Sequence, residues 1–180
     1  MKGGARASVL VWDPLQRLLH WVLVAAVALA WWAGEARLSL HSGAGYVALG
    51  AACSRILLGW FGSRHARFTD FVRGGAAVWG YARAIARGEE PRCLGHNPLG
   101  GWMVLSLLGL MVVVCVSGWL YTTDRFWGMA WLEQLHFFSA WTLVVLAGLH
   151  VAGVLFTSWR HRENLIVAML TGRKRSSEEV

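Results

Sequence analysis

The sequence predicts an all-α integral membrane protein: a four-helix bundle carrying a short interfacial helix. Three observations lead there. Of the 180 residues, 56% are hydrophobic and only 15% are charged, a balance that soluble domains of this size rarely hold. Twelve residues are Trp, the side chain most at home at a membrane–water boundary. Four stretches stay apolar for the roughly 20 residues that a helix needs to cross a hydrocarbon core of about 30 Å. One domain over residues 1–180 is expected, because a single bundle accounts for the whole length.

The first span is expected near residues 14–33, with Pro14 suited to the first helical turn, where its missing N–H is no loss. Trp31 and Trp32 stand where a signal-peptide cleavage site would need small residues, which argues for a retained helix. The second span is expected near residues 41–61, the third near 101–121 and the fourth near 132–159. Between the second and third, residues 71–85 mix apolar and basic side chains, the pattern of a helix lying at the membrane surface, and Gly88-Glu89-Glu90-Pro91 ends it. Residues 163–170 read as a second interfacial helix, and the chain from Arg173 onward as solvated and frayed.

The net charge of +7 would suit a nucleic-acid partner, but the basic residues flank apolar runs, so topology explains them and no nucleic acid is expected. Residues 62–97 hold six arginines, and the N-terminal segment and the tail are also basic. The other two connections hold only Arg37 and Arg125. Positive residues stay inside, which places both termini and the middle segment in the cytoplasm. Cys53, Cys93 and Cys115 show no metal-binding spacing, and no Cys-x-x-Cys-His is present for covalent haem attachment. Two of them read as small buried helix residues and Cys93 as a loop residue.

The seven histidines carry the chemistry. His136 and His150 share the fourth span fourteen residues apart, so they lie on nearly one face and roughly 21 Å apart along the axis. His20 lies in the inner half of the first span and His41 at the outer start of the second. Depth therefore pairs His20 with His150 and His41 with His136. Zinc wants four ligands and each level offers two; non-haem iron wants a carboxylate, and none lies inside a span beyond Glu133 at the outer edge of the fourth. Haem needs two axial ligands, because its macrocycle supplies the other four nitrogens. Two haem b groups in the bundle core are therefore expected, with His20, His41, His136 and His150 as iron ligands. Arg17, one turn before His20, and Arg55, within the second span, are candidates for the propionates, since a charge at that depth calls for a partner. His65 and His161 read as solvated or near headgroups. His96, in GHNPLGG, reads as part of a turn, with a quinone or proton-transfer role left open.

The motifs RLLHW, HSGAGY, the Arg55 position, GHNPLGG, and LHFFSAW with LHVAG resemble, in their order and spacing, the bacterial cytochrome b561 family, which includes the b-type cytochrome subunits of nickel–iron hydrogenases. The resemblance covers nearly the whole chain. It implies a bacterial inner-membrane cytochrome with two b haems on the same four histidines, exchanging electrons with a quinone in a respiratory chain. A periplasmic c-type cytochrome or a dehydrogenase or hydrogenase subunit would be the protein partner. A self-sufficient quinone oxidoreductase is the alternative, a haem-free transporter or scaffold a more distant one, and a homodimer stays open. The aromatic outward connection, residues 118–133, suits either an interface belt or a docking surface beside the outer haem.

Overall fold

A computed structural model describes residues 8–176. Helix α1 (Pro14–Ala33) begins on an Asp–Pro cap: the Asp13 carboxylate accepts the Gln16 amide at 2.8 Å and Pro14 opens the helix. Gly34 ends it, and a 3-10 turn over Glu35–Arg37 leads into α2 (Leu38–Phe61). The second span thus starts ahead of residue 41, because Leu38 and Leu40 extend its apolar run, and His41 falls inside the first turn. Helix α5 (Pro98–Tyr121) repeats the device of α1. Asn97 accepts the Gly100 amide at 2.7 Å and Pro98 follows, so helix begins where a turn was expected. Helix α6 (Ala130–Arg160) has 31 residues, roughly 46 Å of helix, which is longer than the hydrocarbon core and must extend beyond it. These four helices are long and apolar enough to cross a membrane.

The segment between α2 and α5 holds a 3-10 turn (Arg64–Ala66), α3 (Phe68–Phe71) and α4 (Gly75–Arg87). The interfacial helix expected over residues 71–85 is therefore interrupted and shifted. The chain leaves helical geometry at Val72, whose ψ is 116°, and beyond it the Arg73 carbonyl accepts the Trp102 indole N–H at 2.9 Å, tying the break to α5. Left-handed Gly88 closes α4, within the stop signal read from the sequence.

The tail differs most from expectation. Asn164 caps α7 (Leu165–Thr171), and Gly172, at φ 80°, turns the chain into β2 (Arg173–Arg175). β2 pairs antiparallel with β1 (Ser8–Leu10). The Val11 and Trp12 amides then donate to the Gly172 carbonyl at 2.8 and 3.1 Å. Residues 173–176 are thus ordered rather than frayed, with Lys174 and Ser176 buried. A ladder between the two ends of the chain is a long-range pairing that local composition does not reveal.

In the bundle α1 packs on α2, α2 on α5, and α5 on α6. Side chains close the ring between α1 and α6, where Trp31 and Trp141 meet edge-on with ring centres 4.9 Å apart. The central helix α2 buries Ala44, Ala48, Ala51 and Ala52 at spacings of three and four residues. Small residues on that stripe let helix backbones approach closely where lipid offers no hydrophobic drive. Arg55 continues the same stripe and is carried into the interior with it, only 9% exposed. Ala26, Leu108, Met111 and Leu143 complete the core around Ala48 and Ala52. Large apolar side chains such as Trp32, Trp60, Phe138 and Trp159 point outward, as lipid-facing residues do. Cys53 also faces outward, not into the core, and all three cysteines are free.

Candidate functional site

The up-and-down order of the spans gathers both described chain ends, residues 62–97 and α7 at one end of the bundle, the terminal end. The two short connections lie at the hairpin end. His20 is seven residues into α1 and His150 is ten residues short of the end of α6, so both belong to the terminal half. Their imidazole centres stand 6.5 Å apart. His41 and His136, near the hairpin starts of α2 and α6, stand 6.0 Å apart.

The hairpin-end pair is held from behind. His41 Nδ1 lies 2.9 Å from the Ala30 carbonyl on α1, and His136 Nδ1 lies 2.9 Å from the Val114 carbonyl on α5. A carbonyl only accepts, so each Nδ1 is the N–H donor and each Nε2 keeps a lone pair. Gly118 makes the second bond possible: a Cβ there would stand 2.9 Å from Cε1 of the His136 ring. Ser117 Oγ lies 3.4 Å from the same Nδ1.

The terminal-end pair has a different setting. Neither His20 nor His150 hydrogen-bonds to another described residue; the Trp21 indole meets His20 edge-on at 5.3 Å. Gln16 lies one turn before His20 on the same face and is 1% exposed. Both atoms of its amide are buried without a partner, and so is Trp21 Nε1. Arg55 makes no hydrogen bond or ion pair with any described residue. Arg17 donates through Nη1 to the Leu170 carbonyl at the end of α7, which leaves its Nε buried and unpaired.

His96 also belongs to this end. Its ring is wedged between Trp12 and Phe71, each with its ring centre 4.7 Å away, and its buried Nδ1 has no partner. Burial, with the Arg55 charge adding to it, pushes the His96 imidazole down to about 3, so it is neutral near pH 7. Gln16 was not singled out in the sequence. Its signal was an amide one turn ahead of His20, on the face that carries it. The remaining histidines lie elsewhere: half-buried His65 sits 3.3 Å from the Asp70 carboxylate, and His161 follows the last turn of α6.

Among the described residues no three His, Cys, Asp or Glu side chains come together as a metal site. Each level therefore offers an imidazole pair. Two imidazoles bound end-on to one metal, with bonds of about 2.0 Å, put their ring centres about 6 Å apart. Both pairs stand at that spacing, and neither has a protein ligand that would complete a tetrahedral or octahedral shell. The pairs thus fit a metal that would bring its other ligands with a cofactor. The orphaned donors at the terminal end fit a cofactor that carries acceptor oxygens.

Compared with models of protein families, residues 11–172 match the one described as prokaryotic cytochrome b561. No curated protein and no solved structure matches the chain significantly.

Proposed function

Because the chain belongs to the prokaryotic cytochrome b561 family, b-type haem proteins that carry electrons in membranes, we propose that it holds two haems and moves electrons across the bacterial inner membrane. The electrons would pass between a quinone and a protein redox partner, a periplasmic c-type cytochrome or a dehydrogenase or hydrogenase subunit. The observation that carries this reading is the pair of imidazole pairs, 6.5 and 6.0 Å apart, at two depths of one bundle.

His20 and His150 would hold one iron from α1 and α6, and His41 and His136 the other from α2 and α6. Helix α6 ties the sites together, since its two histidines are fourteen residues, roughly 21 Å, apart. Bound haem would supply a one-electron couple, and two histidines holding each iron would suit it to electron transfer rather than to oxygen binding. The Ala30 and Val114 carbonyls set the tautomer of the hairpin-end ligands and raise their basicity. Arg55, and Arg17 through its free Nε, would stand toward the propionates of the terminal-end haem. Basic residues at the terminal end favour a cytoplasmic location for it and for both termini. The exposed Trp127 and Trp131 then present an aromatic surface to the periplasm, beside the hairpin-end pair, where a partner could dock.

The test is haem content. Purified protein is expected to show a reduced b-type spectrum and two haems per chain, all extractable with acid acetone. His20→Ala and His150→Ala are expected to remove one spectral component, and His41→Ala and His136→Ala the other. A helix holds each ligand at fixed depth, so no histidine can substitute for one at the other level. If His20→Ala and His41→Ala removed the same component, the arrangement would be wrong.

A further inference from the structure

The described residues contain six buried side-chain nitrogen or oxygen atoms with no partner, and all six lie at the terminal end: on Gln16 (two), Arg17, Trp21, His96 and Ser176. Buried polar groups are nearly always paired, so a concentration of orphans marks a missing partner. The Gln16 amide nitrogen, the Arg17 Nε and the Trp21 indole are donors, and His96 Nδ1 donates in the tautomer that carries its proton there. Arg55, buried and with no acceptor among the described residues, adds a full positive charge. Each buried donor loses its bonds to water, and the cation loses most, so this cluster calls for acceptors.

The fold brings these groups together around the His20/His150 pair. Gln16 is one turn from His20 toward the terminal end. Trp12, just ahead of α1, packs at a tilt against His96, and Phe71 packs on that ring too. Arg55 comes from α2, which packs on both α1 and α5. His20 lies roughly 9 Å below the start of α1, so Gln16 and His96 lie between the imidazole pair and the terminal surface, while Arg55, six residues from the end of α2, lies near the depth of His20. Phe71 and Trp12, the two rings against His96, are at most 7% exposed.

We propose that Gln16, Arg55 and His96 together form a donor pocket for a carboxylate of the haem that His20 and His150 would hold. This rests on the haem assignment above and goes beyond it. It gives His96 and Gln16 a role as propionate donors and takes His96 out of the quinone and turn readings. The pocket also sets a direction for the redox chemistry. Donors that draw charge off a propionate disfavour the oxidised, more positive iron, so they raise the potential of that haem alone.

The experiment uses the full chain, purified with both haems, and the variants Gln16→Leu, His96→Leu, His96→Gln and Arg55→Gln. Haem is counted first. Each variant is then titrated with the two components resolved, and infrared redox difference spectra are recorded on protein loaded with haem labelled with carbon-13 at the propionate carboxylates. Two haems should remain in His96→Leu and Gln16→Leu, with a lower potential for the component that His20→Ala removes. The other component should stay in place and the labelled carboxylate band should move. His96→Gln, which keeps a donor, should recover part of the shift. Labelled bands that stay at their wild-type positions in all four variants would overturn the pocket while leaving the haem assignment intact. So would a potential shift that disappears in quinone-free protein and returns when a quinone is added, since the occupant would then be quinone. Failure to find two haems in the wild type would instead sink the underlying assignment.

Discussion

His136 shows how much a single glycine can decide. Its ring lies against the backbone of α5 because residue 118 has no side chain, and that approach places Nδ1 on the Val114 carbonyl. An alanine at 118 would put a Cβ at 2.9 Å from the ring, where the ring must move, and a valine adds branches in the same space. Gly118→Val is therefore expected to weaken the His41/His136 site selectively. Haem per chain should fall from two toward one, a loss of about half the absorbance, while the component assigned to His20 and His150 keeps its potential. Gly118→Ala should give a milder shift of the same component. Equal loss of both components would point to general misfolding.

At the scale of elements, the terminal end is closed by a clasp of short pieces. Arg92, in the connection before α5, donates to both Glu163 carboxylate oxygens at 3.0 Å and to the Arg175 carbonyl at 2.7 Å. Glu163 also accepts the Arg175 amide at 2.7 Å. The ion pair is well buried, with side chains 13% and 9% exposed. Removing one partner leaves the other charge desolvated, an effect of about 3–5 kcal/mol. Glu163→Ala should therefore release residues 173–176 and raise their susceptibility to proteolysis before the bundle itself opens. The clasp also depends on pH. Burial alone would raise the Glu163 carboxyl, but the Arg175 amide and the Arg92 guanidinium outweigh it and lower it below its ordinary value of 4.5. The folded state thus binds fewer protons than the unfolded one in that range. The contribution is fully present above 4.5 and is lost as pH falls through the depressed folded value. Limited proteolysis from pH 7 into that acid range should show the tail opening in wild type, and an acid-independent open tail in Glu163→Ala.

For the whole molecule, orientation decides which site faces which compartment. Residues 62–97 carry six arginines, against one in each of the two short connections, and the positive-inside bias acts on short segments of this kind. A reporter fused near Arg87 is expected to register as cytoplasmic and one near Asp124 as periplasmic. The opposite pattern would exchange the inner and outer assignments of the two imidazole pairs and move the donor pocket to the periplasmic side.

The four long apolar helices, their ends to within a few residues and the spacing of the histidines along them were legible in the sequence alone. These properties follow from local rules: an apolar run long enough to cross, an Asx–Pro cap, and a helix rise that converts residue spacing into depth. The start of α5 at Pro98 was missed only because its cap reads equally well as a turn. What only the tertiary structure decided depends on contacts between segments far apart in the chain. The pairing of β1 with β2, the Arg73 carbonyl tied to Trp102 at the break in the interfacial helix, and the wedging of His96 between Trp12 and Phe71 each join positions that no local pattern links. The same holds for the orphaned donors around Gln16 and Arg55. Whether a buried polar group has a partner is a property of the packed molecule, because composition gives the group while only the fold says what surrounds it.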